Sequence, residues 1–280
     1  MSASVPSTTR PENPVKVRLR EGRPVIGVTV TVNNVEVAAQ AAALGFDFLW
    51  IEMEHSPVDL ATLRNIVLAT RGLPAVPFAR VPVNELWTAK RVLDAGVLGV
   101  IFPFTSTAEL AHRAVAACRY PPAGRRGSGA GLASFRWPPA EDYYDFADRN
   151  VLVVVVNEEA RAVQEIEAIA ATPGVDVLFV GPSDLSFSLG HRGNMAHPAV
   201  EEAIGKVRNA AQRHGKIAGR LATTPDEISR AIEQGFRFLQ SATELNLMAS
   251  GAAGLLRGLV SPSTSASAPP VHPATPRPAY

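Results

Sequence analysis

Ala43-Leu-Gly45-Phe-Asp-Phe-Leu-Trp50 closes a helix-like segment and opens a strand within one short stretch. The same junction returns as Asp94-Ala-Gly96-Val-Leu-Gly-Val-Ile101 and as Glu233-Gln-Gly235-Phe-Arg-Phe-Leu239. Glycine tolerates the left-handed conformation that stops a helix, and the apolar residues behind it start an extended run. Working outward, short β-branched runs cover Val25–Val30, Phe48–Ile51, Ala75–Arg80, Val100–Phe104, Leu152–Val156, Val177–Val180, Lys216–Leu221 and Phe238–Gln240. Longer helical stretches such as Val58–Arg71, Asn84–Asp94, Glu158–Ala171 and Pro198–His214 separate them. Runs such as VLVVVV and VDVLFV are apolar without alternation, as parallel strands buried on both faces require. Eight alternating units predict an α/β chain folded as a closed (β/α)8 TIM barrel. An open doubly wound sheet is the competitor, and the absence of a GxGxxG turn after the first run weakens a dinucleotide-binding version of it.

The 280 residues suit one barrel, and a 46% hydrophobic share supplies the core it needs. A formal charge of +1 without a basic run gives no nucleic-acid footprint. No apolar run approaches the roughly 20 residues that span a bilayer. Cys118 is the single cysteine, so an internal disulfide and a multi-thiolate zinc site are both excluded, and a reducing, cytoplasmic setting is expected. Residues 1–23 carry Pro6, Pro11 and Pro14 without an apolar signal-like region and read as a flexible lead-in. Residues 24–260 read as the barrel, and the Pro, Ser and Ala of residues 261–280 as a disordered tail.

A barrel carries its chemistry at the carboxyl ends of its strands. There the sequence places Ile51-Glu52-Met-Glu54-His55, Arg80, Asn157-Glu158-Glu159 and Gly181-Pro-Ser183-Asp184, with Asp94 at the end of the helix before strand four. Carboxylates from adjacent strands, with no thiolate available, suggest a hard cation such as Mg²⁺ or Mn²⁺ that keeps positions open for water and substrate. Such an ion can chelate a 2-oxo acid and stabilise the enolate left when a carbon–carbon bond breaks. An arginine adds charge to the same oxyanion, and a histidine, with its near-neutral pKa, can move the proton. Each residue also has a plain alternative. Glu158 could cap a helix, Asp184 could be an N-cap, Arg80 could serve an ion pair and His55 could be a surface residue. Four strand ends converging outweigh these separately. No lysine at a strand end offers a comparable Schiff-base candidate.

These residues resemble the HpcH/HpaI aldolase family of the phosphoenolpyruvate/pyruvate barrel superfamily, from about Val25 to Leu256. The resemblance rests on Phe46-Asp-Phe-Leu-Trp-Ile-Glu52-Met-Glu-His55, Phe78-Ala-Arg80-Val-Pro, Lys90-Arg-Val-Leu-Asp94-Ala-Gly, Arg119-Tyr-Pro-Pro-Ala-Gly-Arg-Arg-Gly127 and Gly181-Pro-Ser-Asp184-Leu-Ser. It implies a class II aldolase that reversibly joins pyruvate to an aldehyde, with Glu158 and Asp184 holding Mg²⁺, Mn²⁺ or Co²⁺. It makes His55 an acid/base acting through water, Arg80 the contact to the keto oxygen, and the backbone at Gly181 and Ser183 the holder of the substrate carboxylate. Glu52 stands where the family has an aspartate that partners His55, and Asp94, from a loop or a neighbouring subunit, completes the His55 surroundings. The implied assembly is a homo-oligomer, a hexamer or trimer, with the last helix exchanged. Val156-Asn157 and Gln240-Ser-Ala-Thr-Glu244 depart from the family pattern, and part of the likeness extends to macrophomate synthase-like members. Oxaloacetate decarboxylation or citrate lyase-like cleavage would use the same enolate, though an acyl-CoA would want a basic surface not visible here. A barrel that binds a 2-oxo acid without turnover is the alternative from another class.

Overall fold

The computed structural model describes residues 12–138 and 142–257. Eight parallel strands close a barrel in chain order: β1 (Val25–Val30), β2 (Phe48–Glu52), β3 (Val76–Arg80), β4 (Gly99–Phe102), β5 (Leu152–Asn157), β6 (Val177–Val180), β7 (Ile217–Leu221) and β8 (Phe238–Thr243). The TIM barrel expected from the alternation is therefore the fold, and the open sheet is excluded. Gly45, Gly96 and Gly235 take φ of 100°, 104° and 99°, the left-handed helix exits the three junctions called for. Helices Leu60–Ala69, Leu86–Ala95, Ala108–Cys118 and Pro198–Arg213 pack outside the strands, each burying one mainly apolar stripe.

Successive residues of a strand face opposite sides, so Phe48, Trp50 and Glu52 share one side of β2. Phe48 stacks on Phe78 and on Phe238, with centroids 5.2 and 4.5 Å apart. Trp50 lies one layer above, 5.0 Å from Phe179 of β6. This aromatic packing is a solid floor under the carboxyl rim.

The lead-in expected over residues 1–23 is corrected in its second half. Pro14–Arg20 form a helix, capped by Asn13, with Val15 and Leu19 buried in the core. Asn13 is fully buried and donates to the carbonyls of Leu98 and Asn150, just ahead of β4 and β5. Arg18 pairs with Asp47 at 2.7 Å and Lys16 with Asp176 at 3.4 Å, just ahead of β2 and β6. Composition misled here because the prolines around this segment suit a helix start as well as a flexible chain. The helix thus stoppers the amino end of the barrel. Residues 1–11 and the tail over 261–280 lie outside the described residues.

Residues from Leu245 onward form a unit separate from the barrel unit that ends at Glu244. Within that unit the described residues continue the helix Glu244–Leu256, on which Leu245, Leu247, Met248, Leu255 and Leu256 are exposed. Among the described residues no helix is long and apolar enough to cross a membrane.

Candidate active site

Glu52 ends β2 almost fully buried, and its carboxylate accepts four hydrogen bonds. Oε1 takes the backbone N–H groups of Glu54 and His55 at 2.8 and 3.0 Å. Oε2 takes Arg80 Nε at 2.6 Å and Trp50 Nε1 at 3.1 Å. Glu52 thus holds the turn that carries Glu54 and His55, and it is no partner of the His55 ring as the family pattern led us to expect. Its longer side chain folds back onto the backbone of its own turn. The ring instead lies 3.7 Å from Glu54 Oε2 and is 60% exposed, free to meet a ligand in the mouth.

Arg80, at the end of β3, spends Nε on Glu52 and brings Nη1 within 3.0 Å of Glu54 Oε2. Its Nη2 has no protein partner among the described residues. Burial raises the Glu54 carboxyl above its ordinary value, Arg80 opposes that rise, and the negative charges of Glu52 and Asp184 add to it. The sequence alone points to no role for Glu54; its place between Glu52 and His55 is the one signal it carries.

Glu158 follows directly on β5, is 2% exposed, and accepts the Phe104 N–H at 2.8 Å. Burial pushes its carboxyl up to about 7; the Phe104 N–H and Arg80 work against the shift, while Glu54 and Asp184 reinforce it. Phe104 makes that bond from a left-handed φ of 46°, which an aromatic residue rarely adopts. The strand expected to run to Phe104 accordingly stops at Phe102. Nothing in the sequence marked this turn.

Asp184 sits in the first turn of the helix Pro182–Ser188, half-buried and without a protein partner among the described residues. Pro182 occupies the first helical position, so the first amides the helix offers are those of Ser183 and Asp184. Gly181, directly after β6, lies close against Glu158. A Cβ on it would lie 2.7 Å from Glu158 Oε2 and 2.9 Å from Glu158 Cβ. In the altered strand-eight segment, Gln240 Nε2 donates to Thr29 Oγ1 at 2.9 Å. Glu244 Oε1 accepts the N–H groups of Thr31 and Val32 at 2.7 and 2.6 Å. The segment therefore ties β8 to the end of β1.

Asp94 is not brought to His55. Helices of a barrel run antiparallel to its strands, so the last turn of Leu86–Ala95 lies at the amino end, away from the rim. There Asp94 Oδ1 pairs with the fully buried Arg126 at 3.3 Å. Within one chain Glu52, Glu54, His55, Arg80, Glu158 and Asp184 gather as the candidate site.

Among the described residues no three His, Cys, Asp or Glu side chains form a cage for a metal. Two carboxylates completed by water do fit a hard cation. Glu158 and Asp184 each keep an oxygen uncommitted to protein donors among the described residues, and the Arg80 guanidinium that Glu158 feels is already paired with Glu52 and Glu54. A buried acid forced toward its neutral form is one that a cation would return to the carboxylate.

Residues 26–251 match the family model of the HpcH/HpaI aldolase/citrate lyase. The chain belongs to that family. It is 39% identical over 242 residues to the hydroxypyruvate/pyruvate aldolase of Paraburkholderia phytofirmans, covering 84% of this chain and 93% of that protein. An HpcH/HpaI family structure from Burkholderia cenocepacia superposes with a TM-score of 0.82 at 37% identity, over 88% of this chain and 99% of its own. Macrophomate synthase superposes with a TM-score of 0.76 at 27% identity, over 88% of each chain. The HpcH/HpaI chain described here is thus an aldolase-type carbon–carbon lyase of pyruvate-type substrates.

Proposed function

We propose that the enzyme is a divalent-metal-dependent lyase that reversibly cleaves a 4-hydroxy-2-oxo acid to pyruvate and an aldehyde. The observation that carries this is that buried Glu158, pushed toward neutrality, feels both the Arg80 guanidinium and the charge of Asp184, which has no protein partner among the described residues. Glu158 and Asp184 would hold Mg²⁺ or Mn²⁺, which supplies Lewis-acid charge for the oxygens of a 2-oxo acid. Arg80 offers its uncommitted Nη2 to the keto oxygen, where negative charge develops as the bond breaks. The Ser183 amide, beside Gly181 at the start of its helix, receives the carboxylate. The exposed His55 ring takes the proton from the hydroxyl that becomes the aldehyde, through one water, while Glu54 beside it orients the ring.

The test is pyruvate release, read by coupled lactate dehydrogenase, from a panel of 4-hydroxy-2-oxo acids with Mg²⁺ or Mn²⁺. Chelator-sensitive pyruvate is the expected result. The likeness to macrophomate synthase puts oxaloacetate in the same panel. Pyruvate from oxaloacetate alone would replace aldol cleavage by decarboxylation, and ligand binding without product would leave a non-catalytic barrel.

The state of Glu158 makes metal loading dependent on pH. Its carboxyl is protonated below about 7 in the metal-free protein and must lose that proton to bind a cation. Affinity should therefore fall about tenfold per pH unit below 7 and level off above it. Titration calorimetry at pH 6, 7 and 8, in buffers of different ionisation enthalpy, should show close to one proton released at pH 6. Affinity independent of pH would refute this.

The assembly is proposed to be a homo-oligomer, for which the exposed Leu245, Leu247, Met248, Leu255 and Leu256 of the last helix are the support. In such an assembly a neighbour, and not the chain's own helix, could present Asp94 to His55. Sedimentation of a monomer at micromolar concentration would argue against it.

A further inference from the structure

Trp50 is a core residue by position and a polar one by its contacts. It is 1% exposed, on the side of β2 that faces the barrel interior, and its ring is braced by Phe179 at 5.0 Å and an interplanar angle of 54°. A phenylalanine would fill such a place. A buried indole N–H needs an acceptor, and here the acceptor is no backbone carbonyl. It is Glu52 Oε2, at 3.1 Å, the same oxygen that takes Arg80 Nε at 2.6 Å. The guanidinium carbon of Arg80 in turn lies 5.7 Å from the Trp50 ring centroid.

We propose that Trp50 is a positioning residue for Arg80, locking the Glu52–Arg80 pair so that Nη2 is presented to a 2-oxo acid. The inference rests on the reading of Arg80 as the keto-oxygen contact. A glutamate reaches further than the aspartate of the family pattern but has one more rotatable bond, so its carboxylate is fixed only as well as its donors fix it. Oε1 is held by the Glu54 and His55 amides. Oε2 would have Arg80 alone if the indole were absent. With Trp50 in place all four acceptor positions of Glu52 are filled, and the arginine, already beside Glu54 at Nη1, is held at Nε by the Glu52 carboxylate and along its plane by the ring.

The test compares Trp50→Phe with the parent in the full chain, loaded with Mn²⁺, using pyruvate as the probe. Trp50→Phe keeps an aromatic six-membered ring but removes the N–H together with the five-membered half of the indole, and the double variant with Arg80→Ala separates the lost hydrogen bond from the gap left behind. The expected result is a rise of about tenfold in the dissociation constant for pyruvate, with the Mn²⁺ affinity within twofold of the parent. Added to Arg80→Ala, Trp50→Phe should change pyruvate binding by less than twofold, because its effect passes through the arginine. An unchanged pyruvate affinity in the single variant, or a loss that simply adds to that of Arg80→Ala, overturns the proposal. If Trp50→Phe does not fold, a Trp87→Phe/Trp137→Phe protein leaves Trp50 as the sole indole. Its emission should shift on pyruvate binding and cease to do so once Arg80→Ala is added; a signal indifferent to pyruvate, or a shift that survives Arg80→Ala, overturns it equally. A parent that neither binds nor forms pyruvate would sink the proposed function as well. A parent that does both while Trp50→Phe matches it sinks this inference alone.

Discussion

Glu158→Ala or Asp184→Ala is expected to lower metal-dependent turnover at least about a thousandfold, on the order of 4 kcal/mol of lost transition-state stabilisation. Each variant removes one of the two carboxylates that can grip a cation, and the remaining site has one protein oxygen donor and water. Metal affinity, measured by calorimetry, should weaken at least about a hundredfold in both. Glu158→Gln sharpens the result, since the amide preserves an acceptor for the Phe104 N–H while removing the charge. If both carboxylate variants bind the metal as the parent does, the ion sits elsewhere and the assignment fails.

Gly181→Ala is the second large effect, and it needs no change of charge. Gly181 has φ −92° and ψ 90°, a conformation open to alanine, so any cost is steric. The added methyl would lie 2.7 Å from Glu158 Oε2 and 3.3 Å from Val156 Cγ1. Either β6 moves away from β5 or the Glu158 carboxylate swings out of place. Overpacking of this kind costs about 1–3 kcal/mol of stability, and a displacement of about 1 Å at a reacting group costs about a hundredfold in rate. A fall of about a hundredfold in turnover is therefore expected, together with a lowered Tm and weaker metal binding. Full activity in Gly181→Ala would show that Glu158 has room the structure denies it.

The barrel was legible because its signal is repeated. Helix, glycine and apolar strand recur at Gly45, Gly96 and Gly235, and strands buried on both faces write themselves as VLVVVV. Glu158, Asp184, His55 and Arg80 stand out as candidates in the sequence because charged residues at the ends of such strands have few structural reasons to be there. The partners of those residues do not. Whether Glu52 turns toward the His55 ring or toward its own backbone depends on one torsion, and no residue type encodes it. Asp94 looked close in sequence order, yet helix direction carries it to the other end of the barrel. Phe104 gave no warning, since its left-handed turn is set by the bond it makes to Glu158 across two loops. The helix Pro14–Arg20 was hidden by its prolines, and its burial is a property of the strands it covers.

That helix has a consequence for traffic. With Asn13, Val15 and Leu19 sealing one end and the phenylalanine stack filling the interior, the described residues leave the cylinder open at its carboxyl rim. A reaction that splits one molecule into two must send both halves out the way the whole came in. On the proposed cleavage, the fragment nearer the opening is expected to depart before the deeper one.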